Sequence, residues 1–366
     1  MRYIPTEQVK AGMVLGKTIY GVGGKMLLVE QSIIKEEYIK RLNHIGIQGC
    51  YIQDDFSKEI EINDIITPEL KNKAVCYIKG MFLEHSDDYK ENLKISIDLQ
   101  NLMSELVDQI VENKDVQVNI IDLKNYDEYT YLHSINVAVI AVVTGVALGL
   151  SKEELNLLGI SGILHDVGKR FISKEILNKE EKLTKEEIKQ IRDHSKDGYH
   201  YIRENFNLPI KSYIGILDHH ERYDGSGYPN RKEGQKISLF GRILAVVDVY
   251  DALVSNRSYH TAILPSEAWE YLLGGSSTQF DPKVVRAFSK KIAIYPLGTQ
   301  VKLSNNLSGI VVKNYMGYNL RPKIKLFSDF ETPIYIDLKN DADSINITII
   351  DSVQSSPIDF IMQKVV

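Results

Sequence analysis

Between residues 165 and 229 the chain reads His165-Asp166-Val167-Gly168-Lys169, then a lone His194, then His219-His220-Glu221-Arg222-Tyr223-Asp224-Gly225-Ser226-Gly227-Tyr228-Pro229. Of the nine histidines, His165, His194, His200, His219 and His220 fall in that span. Adjacent His-Asp and His-His pairs inside apolar segments are costly, because a buried imidazole or carboxylate needs a partner. A metal ion accepts several such groups at once. With His133 upstream and Asp248 downstream, the set offers nitrogen and oxygen ligands for more than one cation. The chemistry this suggests is metal-assisted hydrolysis.

Each residue also has a plainer reading. His165-Asp166 would be a core histidine capped by a local carboxylate. If the pair lies on a helix, the two side chains point about 100° apart and grip a metal from adjoining faces. Lys169 follows one turn later on the same face. It is either a solvated lysine at a helix end or the partner of an anionic phosphate. His194 borders an apolar side marked by Ile188, Ile191, Ser195 and Ile202. Such a histidine, taken alone, is more often a satisfied core residue than a ligand. Asp248 sits in Ala245-Val246-Val247-Asp248, where an unpaired carboxylate is expensive. Asp251 shares its face and is read as structural, a cap or a partner of Arg257. Every plain reading needs a separate partner. One metal cluster serves them all.

These residues need helices to carry them. From 126 to 296 the pattern is helical throughout. Ser151-Lys-Glu-Glu154 and Thr184-Lys-Glu-Glu187 are capping boxes. Asp224 to Gly234 reads as a loop. Arg242 to Leu253 reads as a buried helix, Pro265 starts another, and Phe280-Asp281-Pro282 opens the last. Upstream, residues 1–62 read as a small α+β unit, with strands at Met26–Val29 and Cys50–Ile52 and a helix from Ile33 to Leu42. Residues 63–125 read as a helical linker or a dimer-forming helix. Pro68 stands near its start, and Leu99, Leu102, Leu106 and Ile110 recur at helical spacing. Residues 297–366 read as a small β domain, with alternation at Val301/Leu303, Ile324/Leu326, Ile334/Ile336/Leu338 and Ile345/Ile347. The fold class is mainly α.

Composition bounds the partners. The 366 residues carry a net charge of −5, with 43% hydrophobic residues. No basic surface argues for a nucleic acid polymer, while a small anionic ligand remains compatible through local cations. Cys50 and Cys76 have no metal-type spacing and suit a reducing compartment. The apolar stretch from Ile135 to Leu150 is broken by Asn136, Thr144 and Gly145, so it reads as a core helix and not a membrane span. A cytoplasmic protein is expected.

The ordered set of motifs resembles the HD-GYP family, the cyclic di-GMP phosphodiesterases of the HD superfamily. The resemblance rests on Tyr126-Asp127-Glu128-Tyr129-Thr130-Tyr131-Leu132-His133, His165-Asp166-Val-Gly-Lys169, His194, the His219-to-Pro229 run, and Asp248-Val-Tyr-Asp251 through Arg257. It covers residues 126–296 and implies an all-helical domain holding two or three metals, iron or manganese favoured. It further implies His133, His165, Asp166, His194, His219, His220 and Asp248 as ligands, with Asp166 bridging and also catalytic. Lys169 is implied as a catalytic and phosphate-binding residue, and Arg257 as a second phosphate contact. Gly227, Tyr228 and Pro229 are implied to shape the substrate entrance and to be a docking point for a signalling partner. The expected reaction is hydrolysis of cyclic di-GMP to pGpG, GMP or both. The alternatives are another cyclic dinucleotide, such as cyclic GMP-AMP, or a non-catalytic binding module. None of the seven ligands is missing, which argues against the module.

Two positions depart from the family. Three-metal members carry a glutamate where this chain has Tyr129, with Glu128 adjacent but turned away by about 100°. His260 stands where some relatives carry a basic residue near the phosphates. A phenol, with a pKa of about 10, is a poor ligand for divalent metal at neutral pH. Two metals per chain are therefore expected from mass spectrometry of anaerobically purified protein, and Tyr129→Glu is expected to add a third. Three fully occupied metals in a crystal structure of the native protein would refute this.

Overall fold

A computed structural model describes residues 1–21, 25–47, 49–83, 89–114, 117–118, 129–177, 179, 181–255, 263–328 and 332–352. Arg257, His260, Asp127 and Glu128 lie outside the described residues, as does the side chain of Tyr129. The chain divides into two compact units. One holds Met1–Asp64 together with the chain after Lys291, and the other holds Ile65–Val116 and Tyr129–Lys291.

The first unit is mostly β. Strands β1 (Arg2–Pro5), β2 (Val14–Leu15) and β5 (Gly49–Gln53) form an antiparallel sheet in the order β1-β5-β2. Strands β3 (Ile19–Tyr20) and β4 (Met26–Leu28) pair beside it, and helix α1 (Glu36–His44) packs Ile39 and Leu42 into the same core as Ile4, Leu15 and Ile52. The later part is a five-stranded antiparallel sheet, ordered β10-β6-β7-β8-β9. Its strands are β6 (Gln300–Leu303), β7 (Ser308–Lys313), β8 (Lys323–Leu326), β9 (Tyr335–Asp337) and β10 (Ile349–Asp351). Ile345 and Ile347 are not in a strand. They follow a short 3-10 helix, Ala342–Ser344, and Ile345 is exposed.

Sequence reading treats 1–62 and 297–366 as separate domains, whereas here they share a core. Tyr51, Ile60 and Ile62 cluster with Ile310 of β7, and Lys325 donates to the Phe56 carbonyl at 2.8 Å. Segments of about sixty residues bury too little surface to be secure alone, and pooling two of them enlarges the core.

The second unit is helical. Helix α4 (Tyr129–Leu148) is apolar around its circumference and packs against α5 (Lys152–Leu164), α9 (Leu239–Val254) and α11 (Pro282–Lys291). Its window Tyr131–Leu148 is long and apolar enough to cross a membrane, yet 78% of it is buried within the protein. That is the position of a core helix. Both capping boxes form: Ser151 opens α5 and Thr184 opens α7 (Lys185–Asn205). Helix α8 (Ile210–Asp218) packs on α5, α7 and α9. Helices α6 (Lys174–Leu177) and α10 (Pro265–Gly274) complete the set with α2 (Pro68–Leu83) and α3 (Tyr89–Glu112).

Residues 65–116 are not a free linker. Leu99, Leu102, Leu106 and Ile110 form the buried stripe of α3, which packs on α4 and α5. The helical spacing foreshadows that stripe, but not which surface covers it. Leu106→Ala is expected to cost about 2–5 kcal/mol, read by denaturant unfolding of the whole chain. A neutral effect would mean that α3 is dispensable to this unit.

Candidate metal centre

Five elements bring the ligand-type residues together. His133 lies one turn into α4, His194 in the middle of α7 and Asp248 on α9. The other four stand where helices end. Helix α5 stops at Leu164, so His165 is its C-cap and Asp166 leads into a 3-10 turn, Val167–Phe171. His219 caps α8, and His220 follows it. Sequence reading puts His165-Asp166 on one continuous helix. The break matters, because it lets neighbouring side chains converge instead of diverging by about 100°.

The turn after α5 lies hard against α7. A Cβ on Gly168 would fall 1.9 Å from the His194 carbonyl oxygen. Only glycine permits that approach, and it brings Asp166 Oδ1 to 3.5 Å from His194 Nε2.

Backbone hydrogen bonds set the imidazole tautomers. His165 Nδ1 lies 2.8 Å from the Gly162 carbonyl, His194 Nδ1 2.5 Å from that of Ile191, and His219 Nδ1 2.6 Å from that of Ile216. A carbonyl oxygen only accepts, so each Nδ1 carries the proton and each Nε2 is left with a lone pair. The Nε2 atoms of His194 and His219 then face each other at 3.3 Å with no proton to share. His165 Nε2 is buried and makes no hydrogen bond among the described residues.

Electrostatics match this picture. Burial, reinforced by neighbouring imidazoles, holds His219 well below its ordinary pKa; His220 is pulled to about 3 by burial, and His194 is also lowered chiefly by burial. These rings are neutral at pH 7, the state a metal requires. Burial opposes the charged form of Asp166 and Asp248, yet the cations and imidazoles around them hold both well below the usual carboxylate range. His133 behaves differently. Burial lowers it, but Asp248 on Nε2 and Asp251 on Nδ1 outweigh that and raise it to about 9. An ion taking Nε2 would displace that proton.

The donors fall into two groups, His194/His219/His220 and His133/His165/Asp166, each with ligand atoms within 4.8 Å of one another. Asp248 Oδ1 lies 3.1 Å from His133 Nε2 and 3.8 Å from His165 Nε2. Asp166 turns Oδ1 toward His194 and Oδ2 toward His165, the latter at 3.3 Å. One carboxylate thus faces both groups. The donor set fits divalent metal, and the converging lone pairs are unfavourable without a cation. The donors are all nitrogen or oxygen, with no thiolate among them. His200 is not brought in; it lies exposed beside Glu204.

Lys169 Nζ lies 2.6 Å from Asp166 Oδ2, from the 3-10 turn and not from a continued helix, and its side chain is 36% exposed. It therefore neutralises Asp166 while one side reaches solvent. Tyr228 stacks on His220, with centroids 4.7 Å apart and planes 25° apart, and Pro229 follows through a cis peptide. Gly227 lies against the backbone of His220 and Glu221, where a Cβ would come within 2.6 Å.

Three supporting residues are not in the expected set. Asp251 is not a ligand. It accepts from His133 Nδ1 at 2.7 Å and from Asn136 Nδ2 at 3.1 Å, fully buried, so it orients the His133 ring. Its spacing from Asp248 signals a shared face; read from sequence as a cap or a partner of Arg257, which lies outside the described residues, it pairs here with His133. Asp218 accepts from Lys232 Nζ at 2.7 Å and Ser238 N at 2.9 Å, tying the His219-His220 corner to the loop and to the start of α9. Glu221 accepts from the backbone of Asn230 and Lys232, closing the loop.

Residues 115–284 match the family model described as HD domain. A Pseudomonas aeruginosa protein named cyclic di-GMP phosphodiesterase is 34% identical over 62% of this chain and 55% of its own length. The matched span, residues 115–284, is somewhat under half of this chain. A Vibrio cholerae protein named 3′3′-cGAMP-specific phosphodiesterase 2 is 32% identical over 53% of this chain and 36% of its own length. The chain spans about half, or less, of the length of these curated relatives. A solved HDG"Y"P protein of Bdellovibrio bacteriovorus shares the fold with a TM-score of 0.53 at 16% identity, covering 78% of this chain and 97% of that one.

Orienting residues behind metal-bound histidines are typically worth about 10–100-fold in metal affinity. Asp251→Ala is expected to lose that much in a competitive chelator titration. Asp251→Asn, whose amide oxygen still accepts from Nδ1, should recover most of it. Equal losses in both variants would remove the orienting role.

Proposed function

We propose that this chain is a metal-dependent phosphodiesterase that hydrolyses cyclic di-GMP to pGpG, GMP or both, in bacterial second-messenger signalling. The observation that carries the reading is the pair of unprotonated Nε2 atoms, on His194 and His219, facing each other at 3.3 Å beside Asp166. His133, His165, His194, His219, His220, Asp166 and Asp248 would hold two divalent ions, iron or manganese favoured, with Asp166 shared. When bound, such ions neutralise phosphoryl oxygens and lower the pKa of water into the neutral range.

The chain's own residues do the rest. The His194, His219 and His220 imidazoles stay neutral because burial, with neighbouring rings, disfavours their charged forms. Lys169 balances Asp166 and presents a cation where a phosphate arrives. Tyr228 walls one side through its stack on His220. Arg257 is proposed as a further phosphate contact. A cytoplasmic setting belongs to this reading, because α4 is buried among its neighbouring helices. The substrate assignment leans on the relatives' names. The cGAMP-specific relative favours a second reading in which one guanine is replaced by adenine.

The test is anaerobic purification, metal analysis, and chromatography of digests of both cyclic dinucleotides. His165→Ala with Asp166→Ala is expected to abolish turnover and leave at most one ion per chain. Full turnover by the double variant would end the two-metal reading, and preferred cleavage of the mixed dinucleotide would move the substrate assignment to the second reading.

A further inference from the structure

Arg192 stands on α7, two residues before His194. It is exposed, and its guanidinium carbon lies 5.3 Å from the centre of the Tyr228 ring. That ring is the one stacked on His220. Arg192 forms no ion pair with any described residue, although carboxylates are common on this helix. The Tyr228 phenol is close enough to Asp166, Asp248 and Arg192 to feel all three charges. Arg192 is thus a cation with no counter-ion among the described residues, steadied by an aromatic face at the rim of the candidate metal centre. Lys169, the other cation placed at the rim, is already committed to Asp166.

A cyclic dinucleotide carries two phosphodiesters. When one sits at the cations, the other lies outside the ligand set and still needs a positive partner. A guanidinium supplies a planar, always-charged fork for phosphate oxygens. We propose that Arg192 binds the second, non-scissile phosphate of a cyclic dinucleotide, and so selects such substrates over simple phosphodiesters. This rests on the function proposed above. Tyr228 is then the platform that keeps Arg192 from drifting toward Asp193 or Asp197 on its own helix.

The experiment compares Arg192→Ala, Arg192→Lys and the native metal-loaded full chain on cyclic di-GMP, cyclic GMP-AMP and bis(p-nitrophenyl) phosphate, which has a single phosphodiester. Metal content is measured in each. A charge-assisted contact to phosphate is worth about tenfold or more in affinity. Arg192→Ala is expected to raise KM for the preferred cyclic dinucleotide at least tenfold, with kcat changed little and metal content intact. KM for the small diester should shift less than threefold, and Arg192→Lys should fall between. An unchanged KM for the cyclic dinucleotide overturns the assignment, as does an equal rise for both substrates, which would place Arg192 on the scissile phosphate. If the native chain cleaves the small diester but neither binds nor cleaves either cyclic dinucleotide, the proposed function fails and the role of Arg192 falls with it.

Discussion

The hydrogen bond from histidine Nδ1 to a backbone carbonyl three residues earlier governs this site. It occurs at His165, His194 and His219. An imidazole has two nitrogens and, when neutral, one proton. Fixing that proton on the outer nitrogen turns the inner one into a lone pair aimed at a shared centre. At His165 and His219 the acceptors lie in the last turns of α5 and α8, where carbonyls lack a helical donor. Helix termination and ligand orientation are thus served by the same bond.

Placing several lone pairs and two carboxylates in a buried space works against folding. The surrounding helices make this tolerable. Helix α4 is buried on nearly all sides and carries His133 rigidly. Asp251 reaches from α9 to hold that ring, while Asp248 on the same helix faces its other nitrogen. The two donor groups are linked through Asp166, whose charge Lys169 balances. The arrangement is stable as a protein only because each charge has a neighbour, and suited to metal because the lone pairs among them have none.

The rim is built by different means. Backbone bonds from Asn230 and Lys232 to Glu221, and the Lys232–Asp218 pair, shape the loop from below. Beside them Tyr228 stacks on His220. The aromatic face presented there stacks on the same corner that supplies two histidines, so the rim and the candidate metal centre are joined through one element.

Much of this was legible in the chain. The polar types at His133, His165, Asp166, His194, His219, His220 and Asp248 are so expensive inside apolar segments that their convergence follows from residue identity and order. The capping boxes at Ser151 and Thr184 are local and therefore readable, as is the apolar stripe of α3. What required the tertiary structure is everything set by contacts distant in sequence. Asp251 meets His133 across 118 positions, so no local pattern could reveal that pairing. Gly168 is indispensable only because α7 passes against it. The break after Leu164, which re-aims Asp166, falls where the chain meets α7. The pooling of the N-terminal and C-terminal segments into one core has the same origin: periodicity tells which face of an element is apolar, but only the folded chain decides what covers it.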